Sequence, residues 1–379
     1  MSRLEELIQE FCPDGVEFKR LEDCCNVLDR KRKPVTKAAR QSGQYPYYGA
    51  NGVQDYVADY IFDGVFVLVG EDGSVVTPSG NPVVNWAEGK IWVNNHAHII
   101  EEADGVLLRY LYHYIQTIDV RDLIHGNIPK LTGGDFKALK IPVPPLPVQE
   151  EIVRILDNFT ELTTELTTEL EARKKQYEYY RDQLLESPRG EVIETTMGNV
   201  LTFLNGRAYK QEELLGAGKY PVLRVGNFYT NSSWYYSDLE LEESKYCENG
   251  DLLYSWAATL GPKIWDGGKC IFHYHIWKIL FDEEVIDKQY LYYYLQYDLS
   301  QIAKSTTKST MIHVSMGSMK GRPIRLPHIS EQKRIAQLIR RFDVLSSDMK
   351  MGLPAEIEAR KKQYEFYRDK LLSFKEAGK

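Results

Sequence analysis

At 379 residues, with 43% hydrophobic and 27% charged side chains and a mean hydropathy of −0.41, the chain has the composition of a soluble protein of two or three domains. The longest apolar run, Val65–Val69, falls far short of the ~18–20 residues of a membrane helix, and the acids in MSRLEELIQEF argue against a signal peptide. Five cysteines without a CxxC pair form neither a disulfide framework nor a zinc pattern, so a cytoplasmic setting is expected; the net charge of −7 weighs against nucleic-acid binding by bulk charge but leaves a locally basic face open.

Residues 1–145 are punctuated by Gly, Pro and Asn clusters such as Ser79–Pro82 and Gly126–Pro129, with β-rich runs between them at Val65–Val69 and Ile91–Val93. This predicts a mixed α/β domain whose strand order the sequence does not give. From Pro147 to Pro188 there is no internal Pro or Gly. Ile152, Phe159, Leu162, Leu166, Leu170, Tyr177 and Leu184 recur there at helical spacing, predicting a helical spacer over 146–187 that contains the repeat TELTTELTTEL. Residues 188–325 return to the broken β-rich pattern, with a strand-like run at Cys270–Leu280. Residues 326–379 form a second helical spacer with Phe342, Leu345, Met349, Ile357, Tyr364 and Leu371 in its stripe, and Pro354 is expected to kink or interrupt it.

The second half repeats the first. EARKKQYEYYRDQLL from Glu171 and EARKKQYEFYRDKLL from Glu358 differ only at Tyr179/Phe366 and Gln183/Lys370. Upstream, Pro144–Gln149 answers Pro327–Gln332, Tyr45-Pro46 answers Tyr220-Pro221, and KIWVNNHAHII from Lys90 answers KCIFHYHIWKI from Lys269. The first spacer is net acidic and the second net basic, which suggests that the two stripes pair. With a domain between them, an antiparallel coiled coil and a pseudo-two-fold axis are expected. The fold class is therefore α+β: two mixed domains separated by two long helices.

Catalytic motifs are missing: there is no Walker A loop, GxGxxG, HExxH, GxSxG or [DN]PP[YF]. The ExK tripeptides Glu88–Lys90 and Glu243–Lys245 are too common a pattern to indicate a nuclease. His96 and His98, with His273 and His275, alternate as strand neighbours would and read as strand or surface residues, with no metal site expected. Two stretches free of acids stand out instead, Arg30–Gln54 and Lys304–Arg325. Their Lys and Arg suit phosphates, and the Asn and Gln of the first suit base edges, whereas the second sets its basic residues among Ser, Thr and Gly.

The proline-led helix with Gln149, the TTEL repeats and the duplicated EARKKQYE ending resemble the specificity subunit of type I restriction-modification systems, over the whole chain. The resemblance implies target-recognition domains at 1–145 and 188–325, each reading half of a split, asymmetric site in double-stranded DNA. It also implies a non-catalytic, cytoplasmic subunit with no cofactor of its own, working with two methyltransferase subunits that use S-adenosylmethionine on adenine N6 and with restriction subunits that use ATP and Mg2+. DNA contacts are expected at Lys37, Arg40, Asn127 and Lys130 in the first domain, and at Arg207, Lys210, Arg224, Asn227, Lys304 and Lys308 in the second. Partner contacts are expected at Arg173, Lys174, Lys175 and Arg181 and their repeats Arg360, Lys361, Lys362 and Arg368. The competing reading is a non-catalytic scaffold whose two domains bind proteins.

Overall fold

The computed structural model describes residues 2–229, 231–305, 314–347 and 352–378, apart from the side chains of residues 304, 305 and 345–347. The chain folds into two compact units, Met1–Thr167 with Glu356–Lys379, and Thr168–Ala355. The first predicted spacer is one helix of 41 residues, Leu146–Glu186, whose two halves belong to different units. Leu162, Leu166 and Leu170 are half-buried along it, and the hydroxyls of Thr160, Thr163, Thr164 and Thr167 donate to the carbonyls four residues back. Those bonds satisfy side chains that otherwise compete with a helical backbone.

The second spacer is two helices, Ile329–Ser347 and Leu353–Leu371. Pro354 lies in the first turn of the latter, where a missing N–H costs nothing, so it starts a helix and does not kink one. Met349 lies outside the described residues, as does the side chain of Leu345. In the first unit Phe159 stacks on Tyr367, with ring centroids 5.3 Å apart, and in the second Tyr180 stacks on Phe342 at 5.9 Å.

The first unit is built on a mixed six-stranded sheet ordered 25–27, 97–102, 62–70, 84–93, 42–49, 52–57. Only 42–49 and 84–93 are parallel, with Tyr47 opposite Trp92 and Tyr48 opposite Val93. In the central strand Val67 and Val69 face a core containing Tyr110, Phe136 and Ile152, whereas Phe66 and Leu68 face Ile91, Val93 and Ile99. Burial on both faces explains why Phe66–Val69 is continuously apolar, whereas Val65 at the start of the run is exposed. The C-terminal segment completes this unit. Leu372 enters the same core, and Val16 N–H donates to Lys375 O at 2.9 Å. Gly15 sits beneath that contact at φ +100°, and a Cβ there would lie 2.4 Å from the Lys375 oxygen.

The second unit repeats the plan with one break. Its counterpart of the strand Val84–Val93 is divided into Gly261–Ile264 and Cys270–Phe272 around Asp266-Gly267-Gly268. The sheet accordingly becomes two four-stranded sheets, ordered 202–205, 276–280, 252–255, 261–264 and 235–237, 220–223, 270–272, 246–247. The parallel pair survives, with Val222 opposite Ile271 and Leu223 opposite Phe272. The run Cys270–Leu280 is thus two strands separated by a turn at 273–275, not one.

The duplicated Pro-to-Gln segments find their reason here. Gln149 is fully buried; its Oε1 accepts from Leu107 N–H at 2.9 Å, and its Nε2 donates to the carbonyls of Pro144 at 2.7 Å and Gly105 at 3.1 Å. Gln332, equally buried, accepts from Asp287 N–H at 2.9 Å and donates to Pro327 at 2.8 Å and Val285 at 2.9 Å. Each amide ties the start of its spacer to the connection entering the preceding helix.

Candidate nucleic-acid interface

In the first unit three connections are sewn together by backbone hydrogen bonds. Glu71 N–H donates to His96 O at 2.8 Å, Leu131 N–H to Glu71 O at 2.8 Å, and Gly73 N–H to Pro129 O at 3.0 Å. Asn94 N–H donates to Tyr48 O at 3.0 Å. The second unit makes the same bonds: Trp256 N–H to His275 O at 3.1 Å, Val314 N–H to Trp256 O at 3.3 Å, and His273 N–H to Leu223 O at 2.9 Å. Hydrogen bonding therefore pairs Glu71 with Trp256, His96 with His275 and Asn94 with His273, the same register as the faint echo between Lys90 and Lys269 in the sequence.

What differs is the chemistry on this shared backbone. In the first unit His98 is a strand residue, as expected, and is buried. Its Nδ1 lies 2.7 Å from Asp29, its Nε2 3.0 Å from Leu131 O, and its ring stacks on Phe136 at 4.2 Å. Glu71 takes Arg32 at 2.6 Å and Lys130 at 3.1 Å. Burial raises the Asp29 carboxyl, but the His98 hydrogen bond and charge, the Ile99 N–H and Arg32 outweigh it and hold the group below its usual range. The acidic companions that the sequence did not show for His98 come from 69 and 27 positions away.

Ligand atoms of Asp29, Glu71 and His98 lie within 4.8 Å of one another, close enough for a cation. Arg32 and Lys130 already neutralise the two carboxylates. In the second unit the matching positions hold Asn205, Trp256 and Trp277, with Trp277 Nε1 donating to Asn205 at 2.8 Å and the two indoles stacked at 5.9 Å. An ionic set in one copy and an aromatic set in the other do the same job of anchoring the loops, so the group reads as a latch.

The latch of the first unit supports an open groove of about 510 Å³ lined by Asn51, Gln54, Ser74, His96, Ile128 and Lys130, among others. Arg30, Lys31 and Lys33, on either side of Arg32, are exposed and form no ion pair among the described residues. In the second unit Arg224 lies over the exposed ring of Tyr235 at 5.2 Å, and Tyr274 projects between His273 and His275.

Burial, His275 and Arg224 push the His273 imidazole down to about 4, and its Nδ1 accepts from His275 N–H at 3.4 Å. His273 is therefore neutral at pH 7, with its proton on Nε2, and suits a base edge better than a phosphate. Because its folded value lies below the unfolded ~6.5, the unfolded chain binds more protons between pH 6.5 and 4, and stability falls as pH drops through that window. An NMR titration should place His273 near 4, and H273N should flatten this part of the acid-side stability profile.

The expected DNA contacts divide into three groups. Lys37, Asn127, Lys210 and Arg224 are exposed. Arg40, Lys130, Arg207 and Asn227 are committed within the protein. Arg40 pairs with Asp55 at 3.2 Å over the Tyr47 ring, and Lys130 belongs to the latch. Arg207 makes two bonds to Glu213, at 2.7 and 3.1 Å, and Asn227 binds the carbonyls of Asn231 and Ser233. Lys308 and the side chain of Lys304 lie outside the described residues. The sequence reading did not select Asn51, Gln54, His96 or Ile128 as contacts, because nothing local marks one hairpin and two distant turns as sharing one groove. The ExK groups do not converge: Glu88 accepts from Trp86 Nε1 while Lys90 sits over Tyr60, and Lys245 binds Asn205 O while Glu243 pairs with Lys269.

On the spacers the repeat preserves contacts as well as letters. Arg173 bonds to Glu169 and Gln176, and Arg360 to Glu356 and Gln363; Lys174, Lys175, Lys361 and Lys362 are exposed. Arg181 and Arg368 depart from the partner-facing expectation. Their side chains are 11% and 12% exposed, held by Asp182 and Asp369 over the rings of Tyr177 and Tyr364. The exposed matched pair is instead Tyr179 and Phe366, at 61% and 63%. Burial keeps His113 below its usual range, so it donates from Nε2 to Asp157 at 2.8 Å and accepts the Tyr364 hydroxyl at 2.9 Å, tying the spacer to the first unit.

The family model for the type I restriction modification DNA specificity domain matches the chain twice, at residues 13–174 and 191–359. A putative type I restriction enzyme specificity subunit of Haemophilus influenzae is 37% identical over 388 residues, covering 98% of each chain. The EcoR124I/EcoR124II specificity subunit of Escherichia coli is 34% identical over 293 residues, 71% of each. Among solved structures, the type I restriction-modification S subunit from M. genitalium matches 94% of this chain and 96% of its own with a TM-score of 0.57 at 16% identity, a likeness of fold.

Proposed function

Because the chain belongs to the family of type I restriction-modification specificity subunits, we propose that each globular region reads one half of a split, asymmetric site in double-stranded DNA. The carrying observation is the loop set stitched by the same backbone bonds in both units but bearing different side chains. A common scaffold then carries buried Asn94, latched Glu71 and exposed His96 in one copy, and half-buried His273, Trp256 and His275 in the other. Arg30, Lys31 and Lys33, next to Arg32 of the latch, and Lys37 are exposed and suit phosphates, which position without specifying, whereas Asn51 and Gln54 in the groove suit base edges.

The spacer sets the gap between half-sites. Its duplicated surface, with Lys174, Lys175 and Tyr179 answered by Lys361, Lys362 and Phe366, suits two copies of one partner, the methyltransferase subunits that carry S-adenosylmethionine and modify adenine N6. Restriction subunits using ATP and Mg2+ complete the endonuclease. This chain supplies selection and no reacting group, in the cytoplasm; no helix among its described residues is long and apolar enough to cross a membrane.

Single-molecule sequencing of adenine methylation in host DNA tests the reading. A split motif should be present with the gene and lost without it. Exchanging residues 188–325 for those of a relative should change one half of the motif only. A methylation pattern indifferent to the gene sinks the proposal, and a change in both halves sinks independent reading.

A further inference from the structure

Ile128 is the most exposed large apolar side chain among the described residues, at 68%. It stands at the tip of the turn Gly126-Asn127-Ile128-Pro129, between the two short strands Ile124–His125 and Lys130–Leu131. The tip is held firmly: Gly73 N–H binds Pro129 O, Leu131 N–H binds Glu71 O, and Lys130 reaches Glu71 in the latch with Arg32. A half-buried ionic network thus holds a hairpin that leaves an isoleucine in water, where it gains nothing for stability.

Its surroundings indicate what it meets. Asn51 and Gln54 line the same groove, Asn127 adjoins it in the turn, and unpaired Arg30, Lys31 and Lys33 flank the latch. Asp72, the acid in the groove, is engaged by His96 and lies 4.0 Å from Lys130. Side-chain amides that suit adenine, an apolar tip and a basic margin together fit an A·T pair seen from the major groove, where thymine presents its C5 methyl.

We propose that Ile128 is a specificity-determining residue that packs on the C5 methyl of a thymine in the half-site read by the first unit. The inference rests on the DNA-reading function proposed above. The Ile128 side chain supplies apolar contact, so uracil in place of that thymine loses the contact while every hydrogen-bonding group of the base pair remains.

The test uses the full chain assembled with its methyltransferase partners and duplexes carrying the mapped target, each thymine of one half replaced in turn by deoxyuridine. For the native complex one replacement should weaken binding about fourfold, the factor for one buried methyl group. I128A should lose about as much on the thymine duplex and then show no further loss with uracil. I193A, altering an isoleucine 65% exposed on the strand Val192–Thr196, should keep the native uracil response. Unchanged melting of I128A confirms that the fold is intact. If no thymine methyl matters, or if I128A stays as sensitive to uracil as the native complex, the inference is overturned. A native complex that does not distinguish the mapped site from a scrambled duplex overturns the DNA-reading function along with it.

Discussion

Replacing Gln149 by leucine is expected to destabilise the first unit by about 3–5 kcal/mol, since it leaves one buried and two part-buried hydrogen bonds to the backbone unmade, at ~1–3 kcal/mol each before relaxation. Leucine is close to glutamine in size, so the loss reports hydrogen bonds more than packing. Leu107 N–H, Gly105 O and Pro144 O all lose their partner, at a residue with no exposed surface. A unit of this size should melt about 6–15 °C lower. Q332L should do the same to the second unit through Asp287, Val285 and Pro327. Gln44, exposed in the first unit, is the control, and Q44L should stay within ~0.5 kcal/mol. Melting followed by circular dichroism and calorimetry decides it; a Q149L protein that melts like Q44L would show that the amide is not the tie described here.

Deleting one TTEL unit, Thr163–Leu166, is expected to abolish methylation at the native site and create it at a site with the same two halves and a narrower gap. Removing four residues shortens a helix by ~6 Å and rotates its downstream portion by ~40°. At ~3.4 Å per base step the gap should shrink by one or two base pairs. The helix should tolerate the change because the neighbouring repeat restores both the leucine stripe and the threonine hydroxyl bonds to carbonyls four residues back. Methylation mapping in cells expressing the deletion reads the result directly. An unchanged gap would remove the spacer from the role of ruler, and altered half-sites would place reading residues on the spacer itself.

Much of the architecture was legible along the chain because its signals are local or repeated. The stripe from Ile152 to Leu184 needs only helical spacing, and the likeness of EARKKQYEYYRDQLL to EARKKQYEFYRDKLL needs only comparison. The faint echo between Lys90 and Lys269 also proved to be a structural register, matched by the hydrogen bonds of His96 and His275. The candidate site was far less legible. Arg40, Lys130, Arg207 and Asn227 have the right chemistry for DNA, yet each is engaged by a neighbour that composition does not reveal.

The duplication, the helical spacers, the α+β class and the family can all be read along the chain. Apolar periodicity and repetition act between neighbours on the chain, where burial of one face dictates spacing. That residues 356–379 complete the first unit, that Asp266-Gly267-Gly268 divides the second unit's sheet, and that His98 anchors loops emerge from packing in space. Packing likewise leaves Ile128 in water. Those outcomes depend on which charges and surfaces meet after folding, as when Arg32 reaches Glu71 across 39 positions. Coulomb attraction and burial depend on distance in space, and linear order does not encode that distance.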